Sequence, residues 1–267
     1  MYIYRLIPKT IRSRLLKIFN LSNILSSASK REILSCLITN KPIIRNGYYL
    51  SNYGVWLYKN NNDKSFDFAL RGYRNGLDRI LNSIHENFDY VDIGANQGIF
   101  ALLAAKSRHC QQIYCFEPNL KVAQKLQLNL DFNNVTNYEI HKVAISKKDE
   151  LINFFVPKSH SGAGKIATNL GVSNQVIRSI SRYKLNVIFE KSKPVLFVKI
   201  DVQGFELEVL VELLNSNFKN KIKYLFLEVV IGDGNFEKIT QVLYDNRFIE
   251  VKRFGSKTYF DIFYKKL

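Results

Sequence analysis

The sequence Tyr90-Val91-Asp92-Ile93-Gly94-Ala95-Asn96-Gln97-Gly98 has the pattern of a buried strand that ends on an acid and then turns through two glycines. The run that starts at Ile99 continues as a helix. Gly94 permits a tight turn, and Gly98 permits a close approach of the helix to the strand. The first turn of a helix offers free N–H groups and the positive end of the helix dipole, so we expect a nucleotide or nucleoside to bind at this turn.

The residues around this turn narrow the choice of ligand. A dinucleotide fingerprint, G-x-G-x-x-G, needs its second glycine so that a pyrophosphate can touch the backbone, and Asn96 occupies that place. The turn therefore suits a smaller ligand with an amino-acid tail, such as S-adenosylmethionine. The next strand, residues 112–116, is followed by Glu117, about 20 residues past the glycine turn, where an acid can accept hydrogen bonds from ribose hydroxyls.

A third stretch, residues 194–201, is a buried strand that ends on Asp201 and is followed by Val202-Gln203-Gly204-Phe205-Glu206 and a helix. Together these stretches resemble the FkbM-type S-adenosylmethionine-dependent methyltransferases, whose motifs are D-x-G-A-N-x-G, F-E-P-N and K-x-D-x-E-G-x-E. The resemblance extends over about residues 68 to 265 and includes Val143-Ala144-Ile145-Ser146, which is similar to the family's A-x-S turn. Gln203 stands where the family usually has Glu, so this position carries no charge in this chain.

The resemblance implies S-adenosyl-L-methionine as the cofactor. The candidate cofactor-binding residues in this sequence are Asp92, Gly94, Asn96, Gly98, Glu117 and Ala144.

The order of the elements predicts an α/β fold. Strands are expected near 89–93, 112–117, 138–144, 195–201 and 222–229, and helices near 98–107, 119–132 and 204–215. Such alternation is typical of a parallel sheet with right-handed crossovers. The last two apolar runs, residues 248–253 and 258–264, read as an antiparallel hairpin. The expected architecture is the Rossmann-like, seven-stranded class I methyltransferase fold.

We expect residues 1–47 to form a basic helical N-terminal extension and residues 48–267 to form the methyltransferase domain. A pair of strands or a hairpin is expected over 48–58 and a helix over 75–87. The interval 151–193 is too long for a simple crossover and is interpreted as an inserted substrate cap. Within it we predict a strand at 151–155, a polar loop at 159–164 and a basic helix at 176–183.

The formal net charge of +16 is concentrated at the N-terminus. Residues 1–50 hold nine Lys or Arg and one acid, Glu32, which gives +8. Residues 10–21 have the spacing of a basic amphipathic helix, which either docks on the catalytic domain or a partner, or contacts an anionic membrane surface. No apolar run reaches the roughly 18 residues of a membrane span, and no signal peptide is evident. With three cysteines lacking metal spacing, the expected location is cytoplasmic, with peripheral membrane contact as an option.

The candidate catalytic residues are acids and a lysine at strand ends. Asp201 is expected to act as base, to orient the acceptor or to contact the cofactor's amino group, with Lys199 on the same strand face as its electrostatic partner. Glu228 closes an apolar strand and is expected to face the same crevice. His160 lies in the predicted cap loop and is the histidine best placed for the acceptor. No metal site is predicted, although a divalent ion on Asp201 and Glu228 is possible.

Three hypotheses for function remain open at this point. The first is an O-methyltransferase that acts on a hydroxyl of a sugar, glycan or other small molecule, the acceptor classes that the resemblance implies. The second is an RNA methyltransferase, which the basic charge favours, although no RNA-binding motif is present. The third is a non-catalytic methyltransferase fold in a membrane or protein complex, against which the intact motif residues argue.

Overall fold

The computed structural model describes residues 43–60, 62–73, 75–167, 173–231 and 234–267. The predicted helices of the N-terminal extension and the segment 10–21 lie outside the described residues. Within the part of the chain that the structure describes, no helix has the length and apolar character that crossing a bilayer requires.

The elements are numbered here along the chain. The strands are β1 Ile44–Arg45, β2 Tyr48–Leu50, β3 Trp56–Tyr58, β4 Phe88–Ile93, β5 Cys110–Phe116, β6 Tyr138–His141, β7 Ala144–Ile145, β8 Leu151–Phe155, β9 Lys165–Ile166, β10 Gln175–Ile180, β11 Leu196–Ile200, β12 Ile222–Val230, β13 Phe248–Gly255 and β14 Tyr259–Lys266. The helices are α1 Lys64–Arg71, α2 Leu77–Ser83, α3 Ile99–Ala105, α4 Leu120–Phe132, α5 Arg182–Ile188, α6 Glu206–Leu214 and α7 Phe236–Asp245.

The main sheet has seven strands in the order β13-β14-β12-β11-β4-β5-β6. Strands β12, β11, β4, β5 and β6 run parallel to one another, and β14 pairs antiparallel with both β12 and β13. This arrangement confirms the predicted seven-stranded class I methyltransferase fold. Since the strand order reverses between β4 and β11, the carboxyl ends of these two strands flank the position where ligands bind in open α/β sheets.

Helices cover both faces of the sheet, which explains why its central strand β4 is buried throughout. One face packs against α2, α3 and α4 through Leu81, Leu102 and Leu126. The other face packs against α5, α6 and α7, and the apolar residues it buries include Leu185 and Leu210. Because successive side chains of a strand point to opposite faces, β4 contributes to both cores.

Gly94 and Gly98 are each required by a close approach of another part of the chain, and the two approaches differ. Gly94 has φ 77°, and a Cβ there would lie 1.9 Å from the carbonyl oxygen of Asp201, so only glycine lets the ends of β4 and β11 meet. A Cβ on Gly98 would lie 2.3 Å from Cδ1 of Leu126 in α4. The close approach at residue 98 is therefore between two helices, and the expected contact of helix with strand is wrong.

The inserted segment forms a second sheet, in the order β7-β10-β8-β9. The predicted strand at 151–155 is confirmed as β8, but the predicted helix at 176–183 is wrong. Residues Gln175–Ile180 form β10, which pairs antiparallel with β8 and parallel with β7, and a helix starts only at Arg182. Burial alternates along β10, with Ile177 buried between exposed Val176 and Arg178, a period of two that a short run does not distinguish from a helix.

The segment before the main sheet is organised by contacts with α4. The expected strands over 48–58 are confirmed as β2 and β3, and the expected helix over 75–87 is shorter, Leu77–Ser83. Tyr48 stacks on Phe132 with ring centroids 3.7 Å apart. The buried side chain of Asn129 accepts a hydrogen bond from the N–H of Tyr58 (2.6 Å) and donates to the carbonyl of Gln97 (2.8 Å), which joins this segment to the glycine turn. The domain boundary at residue 47 stays a prediction.

Candidate active site

A cleft opens at the carboxyl ends of β4, β5, β11 and β12 and has an empty volume of about 1020 Å³, including its open mouth. The cap loop at 159–164 closes one side of it. Of the predicted site residues, the lining includes Gly94, Asn96, Glu117, Ala144, His160, Asp201 and Glu228. Asp92, Gly98 and Lys199 do not line the cleft. The side chain of Lys199 contacts Asp92 and the carbonyl oxygen of Gly94, and Gly98 lies against Leu126 of α4.

Glu117 follows β5 and is held by the backbone on two sides. Its Oε2 accepts the N–H of Asn96 (2.9 Å) and its Oε1 accepts the N–H of Asn119 (2.9 Å). Burial raises the pKa of Glu117 to about 7, although these two N–H groups act in the opposite direction. Each carboxylate oxygen keeps a lone pair, so the side chain can still accept hydrogen bonds from ligand hydroxyls in the cleft.

Lys199 is a buried cation between two acids. Its Nζ lies 3.2 Å from Oδ1 of Asp92 and 3.3 Å from Oδ2 of Asp201, and it donates to the carbonyl oxygen of Gly94 at 3.0 Å. Burial alone would lower the pKa of Lys199, but the charges of Asp201 and Asp92 outweigh it and raise that pKa, so the side chain is an ammonium. The predicted pairing of Lys199 with Asp201 is present, and Asp92 shares the same cation.

Gln203 links the two acids that face the cleft. It adopts a left-handed backbone conformation, with φ 55°, and its amide Nε2 donates to Oδ1 of Asp201 (3.0 Å) and to Oε2 of Glu228 (2.6 Å). The hydroxyl of Tyr259 donates to the other oxygen of Glu228. Burial and the charge of Asp201 raise the pKa of Glu228 above its usual range. A glutamate at position 203 would place a third carboxyl group here.

Sequence reasoning missed three residues of this region, Tyr73, Tyr259 and Asp261. Asp261 lies directly opposite Glu228 in the pairing of β14 with β12, and burial and the charge of Asp201 raise its pKa to about 7. Tyr73 and Tyr259 both line the cleft. The sequence signal at Glu228 is an acid within an apolar strand, and the same signal is present at Asp261.

The cap loop is tied to the start of α1. The N-cap residue Asp63 accepts hydrogen bonds through Oδ1 from the N–H of Ser65 (3.0 Å) and from the N–H of Ser161 (3.1 Å). Ser65 Oγ accepts the N–H of Gly162 at 2.7 Å. Ser161 Oγ in turn donates to Oδ1 of Asn96 at 3.2 Å. The loop therefore connects α1 with the glycine turn, and His160 lines the cleft beside Phe68.

Replacing Asp63 with Ala should loosen the cap loop selectively. Loss of an N-cap costs about 1 kcal/mol of stability, and here it also removes the acceptor for the N–H of Ser161. Asn119→Ala is the matched control, because Asn119 caps α4 through the N–H groups of Lys121 and Val122. Hydrogen exchange should accelerate at residues 159–164 in the first variant alone. Equal exchange rates at residues 159–164 in both variants would contradict a role for Asp63 in holding the cap loop.

Among the described residues, no group of three or more His, Cys, Asp or Glu side chains is arranged to hold a metal ion. The acids that were considered for a divalent ion already have partners: Asp201 is paired with the ammonium of Lys199, and Glu228 accepts hydrogen bonds from Gln203 and Tyr259.

Comparison with known proteins assigns the chain to a family. Residues 92–254, well over half of its length, match the model of the methyltransferase FkbM domain. The chain belongs to the FkbM methyltransferase family. The resemblance found in the sequence is thereby confirmed, and the family and the fold imply a methyltransferase domain that uses S-adenosylmethionine.

A curated relative of this FkbM-family chain is the hexuronic acid methyltransferase AglP of Haloferax volcanii. The two are 26% identical over 163 residues, which is 61% of this chain, and the chain spans 64% of the length of that relative.

Solved structures similar to the chain include a ribosomal protein L11 methylase from Lactobacillus delbrueckii subsp. bulgaricus, with 11% identity, a TM-score of 0.43 and coverage of 73% of this chain and 81% of that one. An rRNA methylase from Streptococcus thermophilus has 11% identity, a TM-score of 0.44 and coverage of 72% and 94%. At these values neither structure carries an inference about the substrate.

Proposed function

We propose that this chain transfers a methyl group from S-adenosyl-L-methionine to a hydroxyl group of a sugar, glycan or other small molecule. The observation that carries the proposal is the placement of Asp201 in the same cleft as Glu117, with its carboxylate 3.3 Å from the buried ammonium of Lys199. The sugar assignment draws support from the family and from the relative named as a hexuronic acid methyltransferase.

The cleft has the donors, acceptors and apolar wall that S-adenosylmethionine needs. Glu117 offers free lone pairs for ribose hydroxyls, and the turn at Gly94 and Asn96 borders it without a Cβ at residue 94. The adjoining wall is apolar and suits a flat ring, and it includes Pro118, Val143, Ala144, Ile145, Val202 and Phe205. The cofactor would supply an electrophilic methyl group on a sulfonium. We assign Asp92 and Gly98 supporting roles, because Asp92 holds Lys199 and Gly98 admits α4 beside the turn.

On the acceptor side, the chain has both a proton acceptor and a hydrogen-bond donor. We assign Asp201 the role of orienting the acceptor hydroxyl and taking its proton, with Lys199 stabilising the carboxylate form. We assign Glu228, which lines the cleft beside Asp201, a hydrogen bond with the acceptor that it would donate in its protonated form. We assign His160 a contact with the acceptor from the cap loop, where it lines the cleft. These roles lower the barrier through positioning and proton transfer.

The competing hypotheses gain no support from the described residues. Half of the excess positive charge that favoured an RNA acceptor, +8 of +16, lies in residues 1–50. Peripheral membrane contact through that segment stays a prediction. The family assignment is that of an enzyme, so it does not favour the non-catalytic alternative.

Glu117→Ala should weaken binding of S-adenosylhomocysteine by about 1–3 kcal/mol, because buried hydrogen-bonding groups lose their partner. Calorimetry on the full chain should detect this product of the cofactor and detect no NAD binding. Glu139→Ala is the matched control, since Glu139 lies on the next strand and is about half exposed. Equal or tighter binding of NAD would overturn the cofactor assignment, and unchanged affinity in Glu117→Ala would overturn the ribose role.

A further inference from the structure

The acceptor end of the cleft, defined here as Tyr73, Asp201, Gln203, Glu228 and Tyr259, is acidic although the chain as a whole carries a net charge of +16. Among the described residues that line the whole cleft, the acidic side chains are those of Glu117, Asp201 and Glu228, and none is Lys or Arg. The described part of this wall therefore offers no ammonium or guanidinium group to a ligand.

The cation nearest to the acceptor end in the described structure is Lys199, and its ammonium is already paired with other groups of the protein. Its side chain is 3% exposed, its ammonium lies within 3.3 Å of both Asp92 and Asp201, and it also donates to the carbonyl of Gly94. Two carboxylates share this one ammonium. It has no surface in the cleft with which to receive the carboxylate of a ligand.

Two further acids, Glu228 and Asp261, lie close to Asp201. The amide of Gln203 bridges Asp201 and Glu228, and Asp261 stands opposite Glu228 on β14. In agreement with this geometry, burial and the charge of Asp201 raise the pKa of both Glu228 and Asp261. An environment that resists ionisation of its own carboxyl groups also resists a carboxylate brought in by a ligand. Sugar hydroxyls, by contrast, find carboxyl and phenol oxygens to bond with.

We propose that the acceptor end selects sugars that carry hydroxyl groups and no carboxylate, so that a neutral hexose is methylated and the corresponding uronic acid is rejected. This inference rests on the proposed O-methyltransferase function and names the substrate class of the same site. It separates the chain from the relative that is named for a hexuronic acid.

The test compares pairs of p-nitrophenyl glycosides that differ only at C6, namely glucoside with glucuronide and galactoside with galacturonide. We expect kcat/KM to favour the neutral member by about 10- to 100-fold, because the carboxylate of the uronide would lie near Asp201 in a partly desolvated site, with no Lys or Arg among the described lining residues to pair with it. Equal rates, or a preference for the uronide, would overturn the proposal while leaving the O-methyltransferase function intact. Absence of transfer to every glycoside, with S-adenosylhomocysteine still bound, would overturn the function itself and this inference with it.

A positive charge introduced at Gln203 tests whether charge is the basis of the preference for neutral sugars. Gln203→Lys puts a cation between Asp201 and Glu228 and should shift the neutral-to-uronide ratio toward the uronide by about 10-fold or more. Gln203→Met, which removes the amide without adding charge, is the matched control and should keep the preference for neutral sugars. A ratio that is the same in the Lys and Met variants would overturn charge as the basis of selection.

Discussion

Asp201→Asn should reduce methyl transfer by about 10²–10⁴-fold while leaving the affinity for S-adenosylhomocysteine nearly unchanged. The substitution keeps the size of the side chain and removes its charge and basicity. Lys199 holds this carboxylate at the carboxyl end of β11, and Gln203 holds its other oxygen, so the geometry of an asparagine would be similar. What is lost is the group that takes the acceptor's proton. Single-turnover rates and calorimetry on the same preparations measure the two quantities.

Asp245→Asn, an exposed aspartate on α7, is the control and should change neither quantity. If affinity and rate fall together in Asp201→Asn, the residue contacts the cofactor's amino group instead of the acceptor. Full activity with normal affinity would eliminate both roles and move attention to Glu228 and His160.

Lys199→Met should destabilise the fold by about 3–5 kcal/mol, because it leaves charge buried without a partner. The affected acid is chiefly Asp92, which has no exposed surface, whereas Asp201 is 25% exposed and can be hydrated. Lys223→Met is the matched control: Lys223 pairs with Glu86 at 2.7 Å, both side chains are more than a third exposed, and such pairs contribute about 0–1 kcal/mol. Chemical denaturation gives the free energy of unfolding for each variant.

The double variant Lys199→Met with Asp92→Asn separates an unpaired charge from lost packing. It should recover part of the stability, since the acid that lost its partner is then neutral. If Lys199→Met is no less stable than Lys223→Met, or if Asp92→Asn brings no recovery, Lys199 is not the buried counter-ion described here.

The parts of the site that the sequence predicted are those encoded locally. The glycine turn, Glu117 and Asp201 each follow directly from a strand, and parallel topology brings strand ends together. Asp92 was expected to serve the cofactor from the strand end, but period-two alternation puts its side chain on the same face as Tyr90, which α3 covers. Its visible contact is consequently with Lys199 and not with the cleft.

The parts that the sequence did not predict depend on long-range contacts. Asp63 accepts a hydrogen bond from the N–H of Ser161, 98 positions further along the chain, and no local sequence pattern predicts this contact. Asp261 lies opposite Glu228 through the antiparallel pairing of β14 with β12, two strands that are far apart in the chain. The prediction of a helix at β10 is wrong because a run of six residues is too short for its periodicity to distinguish a strand from a helix. The segment is a strand because it pairs with β8.

The most direct test of the central claim uses S-adenosylmethionine with an isotopically labelled methyl group and the neutral p-nitrophenyl glycosides. Mass spectrometry and NMR of the product should show one labelled methyl group on a sugar oxygen, with one S-adenosylhomocysteine formed per transfer. Asp201→Asn should form this product about 10²–10⁴-fold more slowly. Labelled methyl on an atom other than a hydroxyl oxygen, or no labelled sugar while the cofactor is bound, would contradict the account.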